Sequence, residues 1–491
     1  MFKLEEATIT DIQTAVAAGE ISYRELALEY LERIAEVDSC EGGLNSVLEI
    51  NPDVLEIARF MDDERTKGVP KGPLHGIPVM LKDNICTCDR MNTSAGSLAL
   101  ADNQGYEAEI VRGLRENGAV ILGKANMTEF ANWMTKDMPN GYSSRGGQVK
   151  NPFNREADPS GSSTGSAVAV SANLCTVSVG TETHGSIISP SYSNGIVGIK
   201  PTAGLLNGNG IIPISSTLDT AGPMARTVYD AAVLLSGLKS MYPYPHLHGY
   251  ALTSVYHHHG QNVMKDYYTS QLATASLRGL RVGIYGNESD DSEYNEILYA
   301  ALSEIEKEGA ILTKDLKPII TDSCWNYAGK FIAKHEFKRS MDFFLTGHGY
   351  TGATRTRLRT LKEIIEYNEA NSELCLKYGQ TVLLECQNES SGTLKEAEYI
   401  TALRRRENLI KDFDRLIRSN NLDVIICTNQ FDGVAPIGGF PCGTLPIGKN
   451  KNNIPMGMCF IAKHNDEATL LKAMYAVEKL TGNRENPLTP D

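Results

Sequence analysis

The chain has 491 residues, 41% of them hydrophobic and 22% charged, a globular balance that supports a sizeable core. Length alone suggests two or three domains, but one large α/β domain also reaches this size. A formal net charge of −13 argues against a general nucleic-acid binder, because phosphate contacts need a basic face, and no run of about 20 apolar residues predicts a membrane-spanning helix.

At the N-terminus, Met1–Glu6 lacks the apolar core of a signal peptide. The ten cysteines have no framework spacing. Together these features predict a cytosolic protein with reduced core thiols. Cys86-x-Cys88 is too short and isolated for a metal half-site. Ser22-x-x-Glu25 reads as a capping box, and Leu26, Tyr30, Ile34 and Val37 follow at helical spacing. A helix over about 107–117 is expected to end at Gly118 and give way to a strand over 119–122. The pattern repeats with a helix over about 293–308, Gly309 and a strand over 310–312. Such alternation predicts α/β layers around a largely buried sheet.

From about 140 to 225 the chain is dense in Gly, Ser, Thr and Pro yet poor in charge. Within it Cys175–Val179 alternates with period two, and Ile196–Ile199 is short and apolar. Ordered glycine-permitted loops between strands fit this better than a flexible linker. Residues 240–262 read as a surface excursion, and its His246, His248 and His257–His259 as exposed side chains rather than metal ligands. A long amphipathic helix is predicted over about 395–418, with Ile400, Leu403, Leu409, Ile410, Phe413 and Ile417 on one side and Arg404–Arg406 on a solvated face. Leu422–Cys427 reads as a buried strand.

Three residues carry the chemistry: Lys82 in H-G-I-P-V-M-L-K-D-N, Ser162 in S-G-S-S-T-G-S, and Ser186 in G-T-E-T-H-G-S-I. No histidine sits beside either serine in a hydrolase pattern, so lysine is the natural base. A phosphate cradle fits poorly, since Gly118-A-V-I-L-Gly123-Lys124-Ala125 lacks the metal-binding hydroxyl and its four central residues are apolar and read as strand. Gly161-Ser-Ser163-Thr-Gly165 matches the nucleophile-elbow pattern, but Asn151–Pro159 before it cannot be the strand that an elbow requires. The remaining reading is a hydroxyl-rich loop that packs one serine between a base and a nucleophile carried by a second loop, Gly180–Ser186. The peptide N–H groups of that second loop can converge on one point.

Ser160–Thr202 resembles the signature segment of the amidase signature hydrolases. Further matches follow in order: Gly76–Asn84, Leu122–Glu129, Asn151-Pro152, Asp219–Pro223, and Pro441-x4-Pro446-x-Gly448 with Pro455-Met-Gly457. The resemblance spans nearly the whole chain and is weakest over about 240–420. It implies one amidase signature domain over 1–491: a large twisted mixed β-sheet covered by helices on both faces. Its parts are a helical stretch (about 1–70), a signature core (about 71–235), a variable pocket region (about 240–420) and a C-terminal core part (about 421–491). By resemblance Lys82 matches the general base, Ser162 the bridging serine on a cis peptide bond, and Ser186 the nucleophile. The backbone amides of Thr183, His184 and Gly185 match the oxyanion donors, and Ser163 and Thr181 are read as supporting hydroxyls. Many members carry Gly or an acidic residue in place of His184, and Arg in place of Ile188. These departures, with Gly141–Gly147, resemble the stand-alone, peptide-amidase-like branch.

The function expected is hydrolysis of a carboxylic amide to acid plus ammonia or amine, without metal or cofactor. Its partner is a small-molecule amide, not nucleic acid or membrane, and a homodimer is left open. The alternatives are an esterase using Ser163, a catalytically inactive amidase-like binding protein, or a glutamine-hydrolysing amidotransferase subunit. Pocket walls are expected from parts of 130–145, 184–192, 320–350 and 430–442, whose Trp133, Tyr142, Tyr192, Trp325 and Phe344 suggest an apolar or aromatic substrate group.

Overall fold

The computed structural model describes residues 2–239, 267–320, 323–347, 356–429, 431–482 and 484–487. The histidine-bearing excursion expected over 240–262 therefore lies outside the described residues, as do positions 321–322, 348–350 and 430 of the expected pocket segments.

Thirteen strands are described: β1 (Val47–Ile50), β2 (Pro78–Lys82), β3 (Val120–Ala125), β4 (Tyr142–Ser143), β5 (Gly147–Gln148), β6 (Val177–Glu182), β7 (Val197–Lys200), β8 (Thr220–Ala225), β9 (Arg281–Tyr285), β10 (Ile311–Leu316), β11 (Val424–Cys427), β12 (Cys442–Lys449) and β13 (Pro455–Ile461). All but the β4–β5 hairpin join one sheet of 11 strands in the order β1-β3-β2-β6-β8-β7-β12-β13-β11-β9-β10. The sheet is mixed. β2 is parallel to β3 and to β6, and β9 is parallel to β10 and to β11, whereas β8, β7, β12 and β13 pair antiparallel. Helices flank it, which is the α/β architecture the alternation and the resemblance both imply.

Local signals act where the sequence puts them. Ser22 caps the helix Tyr23–Arg33: its hydroxyl accepts from the Glu25 N–H at 3.1 Å, and the Glu25 carboxylate accepts from the Ser22 N–H at 2.8 Å. The helices Glu109–Glu116 and Ser292–Lys307 run into Gly118 (φ +79°) and Gly309 (φ +96°), left-handed positions that reverse the chain into β3 and β10. β3 is buried throughout, but β10 closes the sheet on one side and leaves Ile311 58% exposed. A shared helix–Gly–strand pattern therefore fixes local direction and not depth in the sheet.

The glycine- and hydroxyl-rich middle is ordered, and most of 160–225 is buried. β6 is covered on both faces rather than half-exposed, so the alternation in Cys175–Val179 reflects small hydroxyls inside the core and not a solvent face. Two glycines are required by close approach. A Cβ on Gly165 would meet Asn126 O at 2.3 Å, and one on Gly180 would meet Ser163 Oγ at 2.8 Å. They let the helix Thr164–Ser171 lie tight against β2, β3 and β6.

Candidate active site

Lys82 is the last residue of β2, and Thr183–Ser186 follow directly on β6. These strands are parallel neighbours, with Leu81 opposite Val179. Both therefore deliver their C-terminal ends to one edge of the sheet, where groups leave the ladder and become available for chemistry. The loop Ser160–Ser163, which leads into the helix Thr164–Ser171, reaches the same edge. Its Gly161–Ser162 peptide bond is cis.

Lys82 is fully buried. Its Nζ lies 2.8 Å from Ser162 Oγ, 3.0 Å from Ser163 Oγ and 3.1 Å from Thr181 O. Burial pushes the amine from its ordinary 10.5 down to about 7, against the opposing charges of Asp219 and Glu182. The Ser163 hydroxyl donates to Thr181 O at 3.0 Å and accepts from the Thr181 N–H at 3.2 Å. The Thr181 hydroxyl in turn accepts from Asn84 Nδ2 at 2.9 Å. Ser163 and Thr181 thus hold the lysine's surroundings in one arrangement.

The second loop meets the first through its backbone. The Ser163 N–H donates to Ser186 O at 3.2 Å, and Ser186 is 7% exposed. No direct hydrogen bond joins the hydroxyls of Ser162 and Ser186 in this structure. The peptide N–H groups of Thr183, His184, Gly185 and Ser186 donate to no protein acceptor among the described residues. The ends of the turn are nonetheless tied. Glu182 accepts from the Ile187 and Ile188 N–H groups at 2.7 and 3.0 Å. The Thr183 hydroxyl donates to Asp219 at 2.6 Å, and the other oxygen of Asp219 accepts from the Ile214 and Ser215 N–H groups at 2.7 and 2.9 Å. Desolvation raises Asp219 to about 6 despite these donors.

The two departures from the signature have local reasons. The His184 ring packs against Trp325, with centroids 4.8 Å apart, and edge-on to Phe431 at 5.0 Å. Burial lowers it to about 4, so the imidazole is neutral at physiological pH. Ile188 is fully buried among Leu218, Ile332 and Val434, an apolar setting in which a guanidinium would have no water.

A cavity of about 340 Å³ opens beside these loops. Asn84, Thr181, Thr183 and Asp219 form its wall on the Lys82 side. Most of the rest comes from 203–214, including Leu206, Ile211, Ile212 and Ile214, a stretch outside the segments expected to line it. Of the expected segments only Ala131 contributes, and none of Trp133, Tyr142, Tyr192, Trp325 or Phe344 lines this cavity. Trp325 packs instead against His184, whose ring does not line this cavity either, and Phe344 is buried in a separate apolar cluster.

The arginine run is also corrected. Arg404 and Arg405 are exposed, but Arg406 turns inward to the cavity wall, its side chain 17% exposed. Asp219 stands inside a recognised segment and Arg406 inside a charge run, and neither received a role from the sequence. Among the described residues no group of three or more His, Cys, Asp or Glu is arranged to hold a metal ion. No described helix is long and apolar enough to cross a membrane.

The amidase family profile matches residues 25–433. A probable amidase of Arabidopsis thaliana is 37% identical over 501 residues, covering 99% of this chain and 92% of that protein. A glutamyl-tRNA(Gln) amidotransferase subunit from Exiguobacterium sibiricum is 31% identical over 505 residues, covering 98% of each. Among solved structures, native peptide amidase from Stenotrophomonas maltophilia matches with a TM-score of 0.90 at 35% identity over 100% of both chains. Agreement over the full length, in sequence and in fold, makes this chain a member of the amidase signature family and an amide-hydrolysing enzyme.

Proposed function

We propose that the chain hydrolyses a carboxylic amide through Lys82, Ser162 and Ser186, with a covalent acyl-enzyme on Ser186. The observation that carries this reading is the buried Lys82 amine, brought down to about 7 and 2.8 Å from Ser162 Oγ. A lysine that is neutral near pH 7 can accept the Ser162 proton, and Ser162 can then take the proton of Ser186. Ser186 Oγ attacks the amide carbon. The unspent N–H groups of Thr183, His184 and Gly185 stabilise the oxygen that becomes negative. Proton return through Ser162 to the departing nitrogen breaks the C–N bond, and water then cleaves the ester at Ser186. The hydroxyls of Ser162 and Ser186 are not in direct contact, and catalytic hydrogen bonds of this kind commonly tighten in the Michaelis complex.

The likeness to a peptide amidase makes peptide carboxamides the first substrates to test. A fluorophosphonate probe should label the wild-type protein and fail to label Ser186→Ala, with amide turnover falling at least about 10⁴-fold. Undiminished labelling of the variant would reject Ser186 as nucleophile, and labelling lost in Ser163→Ala instead would favour the esterase alternative. The relationship to an amidotransferase subunit supports a second reading, glutamine hydrolysis supplying ammonia to a partner. Glutaminase activity stimulated by a partner subunit, without turnover of peptide amides, would favour it.

A further inference from the structure

Arg406 lines the same cavity as Thr183 and Asp219. Two carbonyls fix its guanidinium: Nε donates to Ile437 O at 2.8 Å and Nη2 to Gly438 O at 3.4 Å. Its nearest carboxylate, the 59% exposed Glu407, approaches Nη1 only to 3.9 Å, beyond hydrogen-bond range. Such a group costs free energy to desolvate, and carbonyl dipoles offset that cost less well than a carboxylate would.

The other acidic groups nearby are already committed. Both oxygens of Asp219 are taken by Thr183, Ile214 and Ser215. Glu336, whose charge also acts on Arg406, accepts from the Ser215 hydroxyl, from the Thr217 N–H and hydroxyl, and from the Tyr399 hydroxyl. Arg406 and Asp219 are the ionisable residues of the cavity wall, and Arg406 is the one with an open donor edge. A planar guanidinium with free N–H groups matches a carboxylate in geometry and charge.

We propose that Arg406 is an anion-recognition subsite of this cavity, taking the carboxylate of an amide substrate whose acyl part carries one, such as a peptide carboxamide with a glutamate or aspartate near its amide end. This rests on the amide-hydrolase reading and narrows its substrate class. The apolar wall from Leu206, Ile211 and Ile214 receives the intervening carbon chain, and the guanidinium sets the far end.

The test compares paired amides on the full-length enzyme: glutaramate, acetyl-glutamate carboxamide and acetyl-glutamyl-leucine carboxamide, each against its side-chain or terminal methyl ester. Wild type should favour the free carboxylate in at least one pair by about tenfold or more in kcat/KM. R406Q should bring that ratio to within about threefold, and R406K should keep part of it. Equal rates for acid and ester in every pair, or a preference that survives in R406Q, overturns the proposal. Because R406Q also loses a carbonyl contact, its fold is checked by thermal unfolding. If it fails to fold, the wild-type ratio together with R406K decides. Calorimetric binding of acetyl-glutamate to wild type, set against its methyl ester, reads the subsite without turnover. Arg406-dependent binding with no labelling of Ser186 would sink the catalytic reading and leave the subsite standing. Labelling and turnover without carboxylate preference would do the reverse.

Discussion

The segment from 71 to 235 and the segment from 281 to 429 build the same sheet by different means. In the first, β2, β3, β6, β7 and β8 are buried from end to end, and the core admits Lys82, Lys124 and Lys200 along with many Ser, Thr and Asn side chains. In the second, β10 runs along an exposed edge and the long helix Ala397–Ser419 divides into an apolar face and a charged one. Buried polar groups must find partners, so the first region is specified contact by contact. Amphipathic elements need only the right face inward, so the second region tolerates change. Substitutions should therefore cost activity in the first and, Arg406 apart, at most stability in the second.

The largest effect after loss of Ser186 itself is expected at Lys82. Lys82→Met should lower kcat/KM by about 10²–10⁴-fold, the usual contribution of a positioned base. In wild type the acid limb of kcat/KM should lie near pH 7, where the amine loses its proton. The same shift predicts a stability signature. The folded protein gives up this proton near 7 and the unfolded chain near 10.5, so the unfolded state binds more protons throughout that window. Stability should therefore rise with pH between about 7 and 10.5, and the cost of holding a charged amine in the core is fully present below it. Thermal unfolding across this range should show a flatter slope in Lys82→Met. An unchanged slope would mean that Lys82 titrates in the native state as it does in water.

A smaller effect is expected at Asp219, which touches no residue of the proposed triad. It holds Thr183 at 2.6 Å, and with it the first proposed oxyanion donor. Asp219→Asn keeps the shape but replaces one of two accepting oxygens by a donor. One amide group then cannot accept from the Thr183 hydroxyl and from both the Ile214 and Ser215 N–H groups. A loss of about 10–100-fold in kcat with little change in KM fits a positioning role. A drop confined to KM would place Asp219 on the substrate instead.

What the sequence makes legible follows the same division. Lys82, Ser162 and Ser186 stand out because unusual residue types recur at motif positions, and two of them do meet in space. Their surroundings were less readable, because partnerships such as Thr183 with Asp219 join residues 36 positions apart that no local pattern links. The cavity wall from 203–214 was missed for a related reason: small and aliphatic residues in a loop carry no signature of lining a site. Arg406 could have been found. At about 100° per residue, position 406 falls roughly 60° from Leu409, inside the arc of Phe413 and Tyr399, and a charged residue in that arc is an anomaly.

The same helical phase sets the smallest prediction. Ile400 was expected on the apolar side, yet it is 47% exposed, because nine residues at about 100° each place it roughly opposite Leu409. Phe413, fully buried, packs edge-on against Tyr285 at 5.5 Å and against Phe440 at 4.9 Å. Phe413→Ala should therefore cost about 3–5 kcal/mol of stability, read as a lower denaturation midpoint, while turnover of the folded fraction at low temperature stays near wild type. Ile400→Ser should move stability by no more than about 0.5 kcal/mol and leave activity alone. Were Ile400→Ser to cost as much as Phe413→Ala, this face of the helix would have to be covered in solution, and the tolerance assigned to the second region would end at residue 400.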